Sequence, residues 1–355
     1  MDSTMNFGSD NQAGASQQVI DAVIAANVGN AHGYGSDPWT ERATNLLRET
    51  FQRDLEALFV PTGTAANSLA LSCLAQPWEV ILCHNHAHIL NDEATAPEFF
   101  TGGARLIGIS GRDGKLEPRH LSEYFKFAGK EYPHNSRATV LSMTQASENG
   151  LVYTPDEIAA LSSLAKKEQL KIQMDGARFA NAVAALKYSP ADISWKAGVD
   201  VLCLGATKNG ALACEVVLFF DKKLSEQFVY RRKRAGHLIS KSRFIGAQME
   251  AWLKDRYWLK LASHANECAT KLSKELASIP RIRITWPTQA NEVFVVLPIK
   301  LVERLRTAGA EFYEWPLTGL PPEISITRDE AYVRLVTSFL TTDKEISDFC
   351  AIAHS

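Results

Sequence analysis

From about residue 55 to residue 220 the chain alternates between short apolar runs and segments that read as helical. Leu58-Phe59-Val60, Lys171-Ile172-Gln173-Met174 and Val199-Asp200-Val201-Leu202-Cys203-Leu204 are short and rich in strand-favouring residues, so each predicts a buried strand. Pro155-Asp156-Glu157-Ile158-Ala159-Ala160-Leu161 is one of the helical patterns between them. Such alternation predicts a mostly parallel sheet flanked by helices. After about residue 245 the texture changes. A long helical stretch, Gly246 to about Ala277, leads to Arg281-Ile282-Arg283-Ile284-Thr285-Trp286, then to strands at Glu292–Leu297 and Tyr332–Thr337. The predicted organisation is a large α/β domain with an N-terminal arm over residues 1–245, and a smaller α+β domain over residues 246–355. No Pro/Gly/Ser-rich linker, internal repeat or low-complexity tract marks the boundary.

Three strand ends carry candidate chemistry. Gly205-Ala206-Thr207 closes one buried strand on small side chains and Lys208 follows at once. An amine held there has few neighbours to cover it and can attack a carbonyl carbon. Most lysines after strands simply begin surface loops, but a second strand end changes the comparison. Asp175 stands at the carboxyl end of its strand, followed by Gly176-Ala177-Arg178, and ligands of open α/β sheets bind beyond those ends. A turn aspartate is common in an Asp-Gly corner. Taken with Lys208, however, Asp175 supplies what a pyridoxal phosphate enzyme needs: an amine for the cofactor aldehyde and an acid for the pyridine nitrogen. The third end is Pro61-Thr62-Gly63-Thr64-Ala65-Ala66-Asn67, a small-residue loop opening a helix. Free N–H groups at a helix start form an anion site, although Thr is also an ordinary helix cap. The loop is neither a Gly-x-Gly-x-x-Gly fingerprint nor a Walker loop.

In this order the segments resemble the threonine aldolase and β-eliminating lyase family of fold-type-I pyridoxal phosphate enzymes. The resemblance runs from Gly8-Ser9-Asp10 through Tyr34-Gly35-Ser36-Asp37-Pro38, Ala87-His88-Ile89, Asp175-Gly176-Ala177-Arg178 and Thr207-Lys208 to Val333-Arg334-Leu335-Val336-Thr337, almost the whole chain. It implies that Lys208 holds the cofactor covalently, that Asp175 partners the pyridine nitrogen, that Gly63 and Thr64 hold the phosphate, and that His88 stacks on the ring. It implies a substrate-carboxylate site at Ser9, Arg178 and Arg334, where a guanidinium fork suits a carboxylate, and a place for Tyr34 near the substrate. Arg243 is implied to reach a neighbouring subunit's phosphate, hence a homodimer or homotetramer. The implied activity is cleavage of a β-hydroxy-α-amino acid (L-threonine, L-allo-threonine or phenylserine) to glycine and an aldehyde; a β-eliminating lyase is the alternative. One departure stands out. Many members carry a second histidine in an Asn-Thr-His-Asn segment, where this chain has Met143-Thr144-Gln145-Ala146-Ser147-Glu148-Asn149-Gly150. The base for the β-hydroxyl is then His88, Glu148 or a bound water.

Composition adds bounds. The 355 residues are 46% hydrophobic and 22% charged, ordinary for a globular protein. A net charge of −2 gives no electrostatic reason to bind nucleic acid or anionic membrane. No apolar run approaches the roughly 20 residues of a membrane span, and Met1-Asp2-Ser3-Thr4 lacks the features of a signal peptide. Six cysteines (Cys73, Cys83, Cys203, Cys214, Cys268, Cys350) show no Cys-x-x-Cys spacing and read as reduced core residues of a cytoplasmic protein. His84, His86 and His88 alternate at strand period, so all three rings projecting from one face would make a metal-dependent hydrolase the reading from another class. Asp92-Glu93 reads as a helix start rather than as further ligands. Tyr230-Arg231-Arg232-Lys233-Arg234 reads as a solvated helix face.

Overall fold

A computed structural model describes residues 5–355; the reading of residues 1–4 as no signal peptide lies outside the described residues. The larger sheet has seven strands: β1 (Glu56–Val60), β2 (Val80–His84), β3 (Arg105–Ile109), β4 (Ala138–Thr144), β5 (Lys171–Gly176), β6 (Val201–Gly205) and β7 (Glu215–Phe219). Their order across the sheet is β1-β7-β6-β5-β4-β2-β3. From β6 to β3 all pairs are parallel, while β7 is antiparallel to both β6 and β1. Two reversals restore direction, so β1 runs with the five parallel strands and β7 alone runs against them. The carboxyl ends of six strands therefore share one edge, where β7 places its amino end. This mixed but mostly parallel sheet agrees with the alternating pattern, and β2, β6 and β7 are buried at every position, as strands covered on both faces must be.

Local signals fix several elements. Thr154 and Glu157 form a capping box at the start of helix Pro155–Lys167, with proline in its first turn. Helix Gly63–Leu74 begins at Thr62, whose hydroxyl accepts the Ala65 N–H at 3.2 Å. Its small residues Ala65, Ala66 and Ala70, with Leu69, pack on β6 and β7. Each fully buried leucine of this kind contributes about 1.5–3 kcal/mol of apolar burial. Gly205 ends β6 so close to its neighbours that a Cβ there would lie 2.8 Å from Glu215 Oε2 and 2.9 Å from Ala177 Cα. Glycine is the residue that permits this approach.

The second sheet is antiparallel: β8 (Arg283–Ile284), β9 (Glu292–Pro298), β10 (Tyr313–Glu314) and β11 (Glu330–Val336), in the order β10-β11-β9-β8. The N-terminal arm joins it. The Phe7 N–H donates to the Glu311 carbonyl, the Val336 N–H donates to the Phe7 carbonyl, and Met5 and Phe7 are buried in this core.

One expectation needs correcting. The long helix after residue 245 is two helices, Arg243–Leu253 and Tyr257–Ala277, broken at Asp255 and Arg256, whose φ values are 52° and 56°. Left-handed backbone at two successive residues ends a helix, and periodicity alone carries no sign of it. Within Arg281–Trp286, only Arg283 and Ile284 pair as strand. The core of the large sheet takes in Ile245, Met249, Trp252, Trp258 and Ala262, and that of the small sheet begins at Cys268 on the same helix. Residues 245 and 246 lie inside helix Arg243–Leu253, and helix Tyr257–Ala277 contributes to both cores. All six cysteines are free, and five are buried.

Candidate active site

At the shared edge of the large sheet lies a cavity of about 390 Å³, lined by residues from five strand ends. β1 leads to Thr62, Gly63 and Thr64; β2 leads to His88; β4 leads to Thr144, Ala146 and Glu148; β5 supplies Asp175, Ala177 and Arg178; β6 leads to Thr207 and Lys208. Parallel strands deliver side chains far apart in sequence to one crevice.

Asp175 is buried and doubly held: Asn67 Nδ2 donates to its Oδ2 at 2.9 Å and the Ala177 N–H to its Oδ1 at 3.0 Å. Asn67 also donates to Glu93 Oε1 at 3.0 Å, and its own Oδ1 accepts from Gln173 Nε2 at 3.0 Å. This chain fixes Asn67, and through it Asp175, in one orientation. Glu93 Oε1 also meets His88 Nδ1 at 2.9 Å. That hydrogen bond raises the His88 pKa; burial opposes it, and the charges of Asp175, Glu148 and Glu93 add to the rise. Lys208 sits in a short 3-10 turn, Thr207–Asn209, and its amine makes no hydrogen bond or ion pair among the described residues. The backbone N–H groups of Gly63 and Thr64 open helix Gly63–Leu74 without a protein acceptor among the described residues. A Cβ at Gly63 would meet nothing within 4 Å, so this corner is open to a ligand.

Two carboxylates add to the wall. Glu148 accepts the His88 N–H at 3.2 Å through Oε1. Burial raises its pKa to about 7; Asp175 and Glu292 add to the rise, while His88 and Lys208 oppose it. Glu215, at the amino end of the reversed strand, is likewise pushed up to about 7 by burial, against hydrogen bonds from Thr207.

Arg178 lies over the amino end of helix Phe179–Leu186 and is locked in a buried pair. Its Nε and Nη2 donate to Asp10 at 2.7 and 3.0 Å, and Nη2 lies 3.4 Å from Glu292 Oε1. Asn291 also donates to Asp10, at 3.0 Å. Burial pushes the Asp10 carboxyl up, but Arg178, Lys208 and Asn291 outweigh it and leave its pKa below the usual value. Its stabilisation is therefore present at neutral pH and is lost as pH falls through the lowered pKa. Arg178→Ala would strand Asp10 and Glu292 as buried charges. Urea denaturation of this variant is expected to show a loss of about 3–5 kcal/mol, and a midpoint equal to that of the wild type would contradict it.

The other predicted site residues lie off the cavity wall. Arg334 stacks on Trp315, 3.9 Å from the ring centroid, with Nη1 3.5 Å from the same Glu292 oxygen that Arg178 approaches. Ser9 caps a 3-10 turn by accepting the Asn11 N–H at 3.2 Å, and Asn11, rather than Ser9, lines the cavity. Tyr34 is exposed beneath Lys233, and Arg243 donates to the Val28 and Gly29 carbonyls at 3.4 and 3.0 Å. The histidine run does not form one face. β2 ends at His84, whose Nε2 meets the Gly111 carbonyl and whose Nδ1 accepts the His86 N–H, while His88 starts a separate helical turn. Burial lowers the His84 pKa to about 4. Among the described residues no three His, Cys, Asp or Glu side chains are grouped to hold a metal. Glu93 does not start a helix either: the next one begins at Ala96, and Glu93 turns inward to His88. In the basic run, Arg232 folds back to donate to the Phe59 carbonyl at 3.1 Å, so that helix is not wholly a solvated face.

Known proteins share this sequence and fold. Residues 6–299 match the beta-eliminating lyase family. A low specificity L-threonine aldolase of Pseudomonas sp. (strain NCIMB 10558) is 44% identical over 319 residues, covering 90% of this chain and 91% of that protein. The threonine aldolase of Leishmania major superposes with a TM-score of 0.90 at 26% identity, over 98% of both chains. A serine palmitoyltransferase of Sphingomonas wittichii shares the fold, with a TM-score of 0.73 at 14% identity over 99% of this chain and 86% of that one. With sequence and superposed fold in agreement, this chain has the fold-type-I architecture and belongs to the beta-eliminating lyase family.

Proposed function

We propose that this chain is a pyridoxal-phosphate-dependent aldehyde lyase that cleaves a β-hydroxy-α-amino acid, such as L-threonine, L-allo-threonine or phenylserine, to glycine and an aldehyde. The observation that carries this reading is the convergence of an unpaired lysine amine, a doubly anchored buried aspartate and the open start of a helix on one cavity. The donor set fits the cofactor. Lys208 would hold its aldehyde carbon, Asp175 its pyridine nitrogen, the Gly63 and Thr64 N–H groups its phosphate, and His88 would lie against its ring. When bound there, pyridoxal phosphate supplies a sink for the electron pair left on Cα.

The residues of the chain do the rest. Asp175 keeps a proton on the ring nitrogen. Arg178 and Arg334, drawn together by Glu292, place positive charge beside the cavity for the substrate carboxylate, and Ser9 belongs to the arm that closes this side. Asp10 already occupies the Arg178 fork, so the carboxylate would be held by charge and by the remaining guanidinium N–H groups. Holding the carboxylate fixes the Cα substituents relative to the ring, which selects the bond that breaks. The hydroxyl proton leaves oxygen, the Cα–Cβ pair stays with the glycine half, and a proton is returned to Cα.

Tyr34 and Arg243 lie away from this chain's own cavity; Tyr34 is exposed, and Arg243 donates to the carbonyl of exposed Val28. We place them at a contact with a second copy, where they would meet the partner subunit's site in a homodimer or homotetramer. The division into residues 1–245 and 246–355 is kept as the working domain description. Six unpaired cysteines support a cytoplasmic setting, and among the described residues no helix is long and apolar enough to cross a membrane. The test is product release from L-threonine, L-allo-threonine and L-phenylserine with added pyridoxal phosphate. Aldehyde and glycine are expected in equal amounts. Release of ammonia with no glycine would turn the assignment to β-elimination.

A further inference from the structure

We propose that Glu148 is the catalytic base that takes the proton from the substrate's β-hydroxyl, in place of the histidine this chain lacks. The inference rests on the aldolase reading above and identifies a further residue of that site. Three observations lead to it. Glu148 lines the cavity on the loop after β4, where the resembling family carries its second histidine. Its Oε1 is tied to the His88 backbone N–H at 3.2 Å, which anchors the side chain, while Oε2 has no hydrogen-bond partner among the described residues. Unlike the nearby carboxylates of Asp10 and Asp175, it is paired with no arginine and held by no side-chain amide.

The competing base is His88, and its surroundings argue against it. Glu93 holds Nδ1 at 2.9 Å, so that nitrogen is already engaged, and the ring itself would lie against the cofactor. Glu148 by contrast keeps Oε2 without a partner among the described residues. Six groups face it from the surrounding elements. Asp175 and Glu292 disfavour its charge and His88 and Lys208 favour it. Arg178 and Arg334 also feel its charge. Burial pushes its carboxyl up to about 7, which makes it more basic than an ordinary carboxylate, as a general base requires.

The step balances. The β-hydroxyl proton passes to Glu148 Oε2, and the O–H electron pair becomes the second C–O bond of the aldehyde. The Cα–Cβ bond breaks with its pair on the glycine half, and Glu148 returns its proton to solvent before the next turnover. Exchange of the glycine α-proton needs no β-hydroxyl and therefore does not use Glu148.

The experiment compares these two reactions in the holoenzyme. Glu148→Gln keeps an acceptor for the His88 N–H but no base. It is expected to lose about 100- to 10,000-fold in aldehyde release from L-threonine. Exchange of glycine α-protons with D₂O, followed by NMR, is expected to stay within about threefold of the wild type. In the wild type, kcat/KM for aldehyde release should rise with pH through about 7 as the carboxyl ionises, and E148Q should lose that limb. Glu148→Asp, which keeps the carboxylate, should retain the limb and recover part of the rate. Equal loss of both reactions in E148Q would make Glu148 structural, and loss of neither would put the base elsewhere; either overturns the proposal. A wild-type enzyme that exchanges glycine protons yet releases no aldehyde would overturn the aldolase reading itself, a distinct result.

Discussion

Lys208→Ala is expected to abolish aldehyde release, with a loss of about three orders of magnitude or more, while leaving the fold intact. The two halves of this expectation have separate causes. The Lys208 amine makes no hydrogen bond or ion pair among the described residues, so its removal strands no partner, and the stability change should stay within about 0.5 kcal/mol. Its chemical role has no substitute, because no other lysine lines the cavity. Lys208→Arg should be equally inactive, since a guanidinium keeps the charge but stays protonated and cannot attack an aldehyde carbon. The direct check is borohydride reduction of the protein loaded with pyridoxal phosphate, followed by peptide mass analysis. The wild type should carry the added mass on the peptide containing Lys208, and neither variant should carry it anywhere. A variant that still released aldehyde at a tenth of the wild-type rate would remove Lys208 from the centre of the mechanism.

Residues whose chemistry depends on a strand end were legible in the sequence. Lys208, Asp175 and Gly63 each follow a short apolar run; parallel pairing carries the ends of β6 and β5 to one edge, and two antiparallel pairings through β7 bring the end of β1 there too. The reversed strand was not legible, because β7 reads like its neighbours and only its pairing shows its direction. For the same reason Glu215 gave no signal: nothing in Cys214-Glu215-Val216 says that this carboxylate faces a cavity. Glu93 was missed for a local reason. Asp92-Glu93 before Ala-Thr-Ala-Pro resembles a helix start, but the backbone passes through positive φ at Ala94 and Thr95, and the turn directs Glu93 inward to His88. The histidine alternation misled because it continues past the end of its strand, where period two no longer means one face. Asp10 was visible in Gly8-Ser9-Asp10, yet its partner is 168 residues away, and such pairing is a property of the packed chain alone.

Asp175→Asn should separate cofactor binding from cofactor activation. The carboxylate accepts from Asn67 Nδ2 on one oxygen and from the Ala177 N–H on the other. An amide can satisfy only one of these donors. Asn67 cannot readily turn over to compensate, because Gln173 and Glu93 hold both ends of its own amide. One donor is left facing an NH₂ group, at a cost of about 1–3 kcal/mol, which a large buried core tolerates. The effect on chemistry should be greater. A neutral amide does not keep a proton on the pyridine nitrogen, and without that proton the ring withdraws electrons poorly from Cα. Turnover is expected to fall by about two to four orders of magnitude, while borohydride still traps the cofactor on Lys208, since neither the lysine nor the start of helix Gly63–Leu74 is altered. Asp175→Glu restores the charge but lengthens the side chain by one methylene in a site held from both sides, so partial recovery is the expected result. If Asp175→Asn kept wild-type turnover, the ring nitrogen would need another acid, and Glu93, joined to Asp175 through Asn67, would be a buried candidate. If instead it lost the trapped cofactor as well as turnover, the main role of Asp175 would be to hold the ring in place.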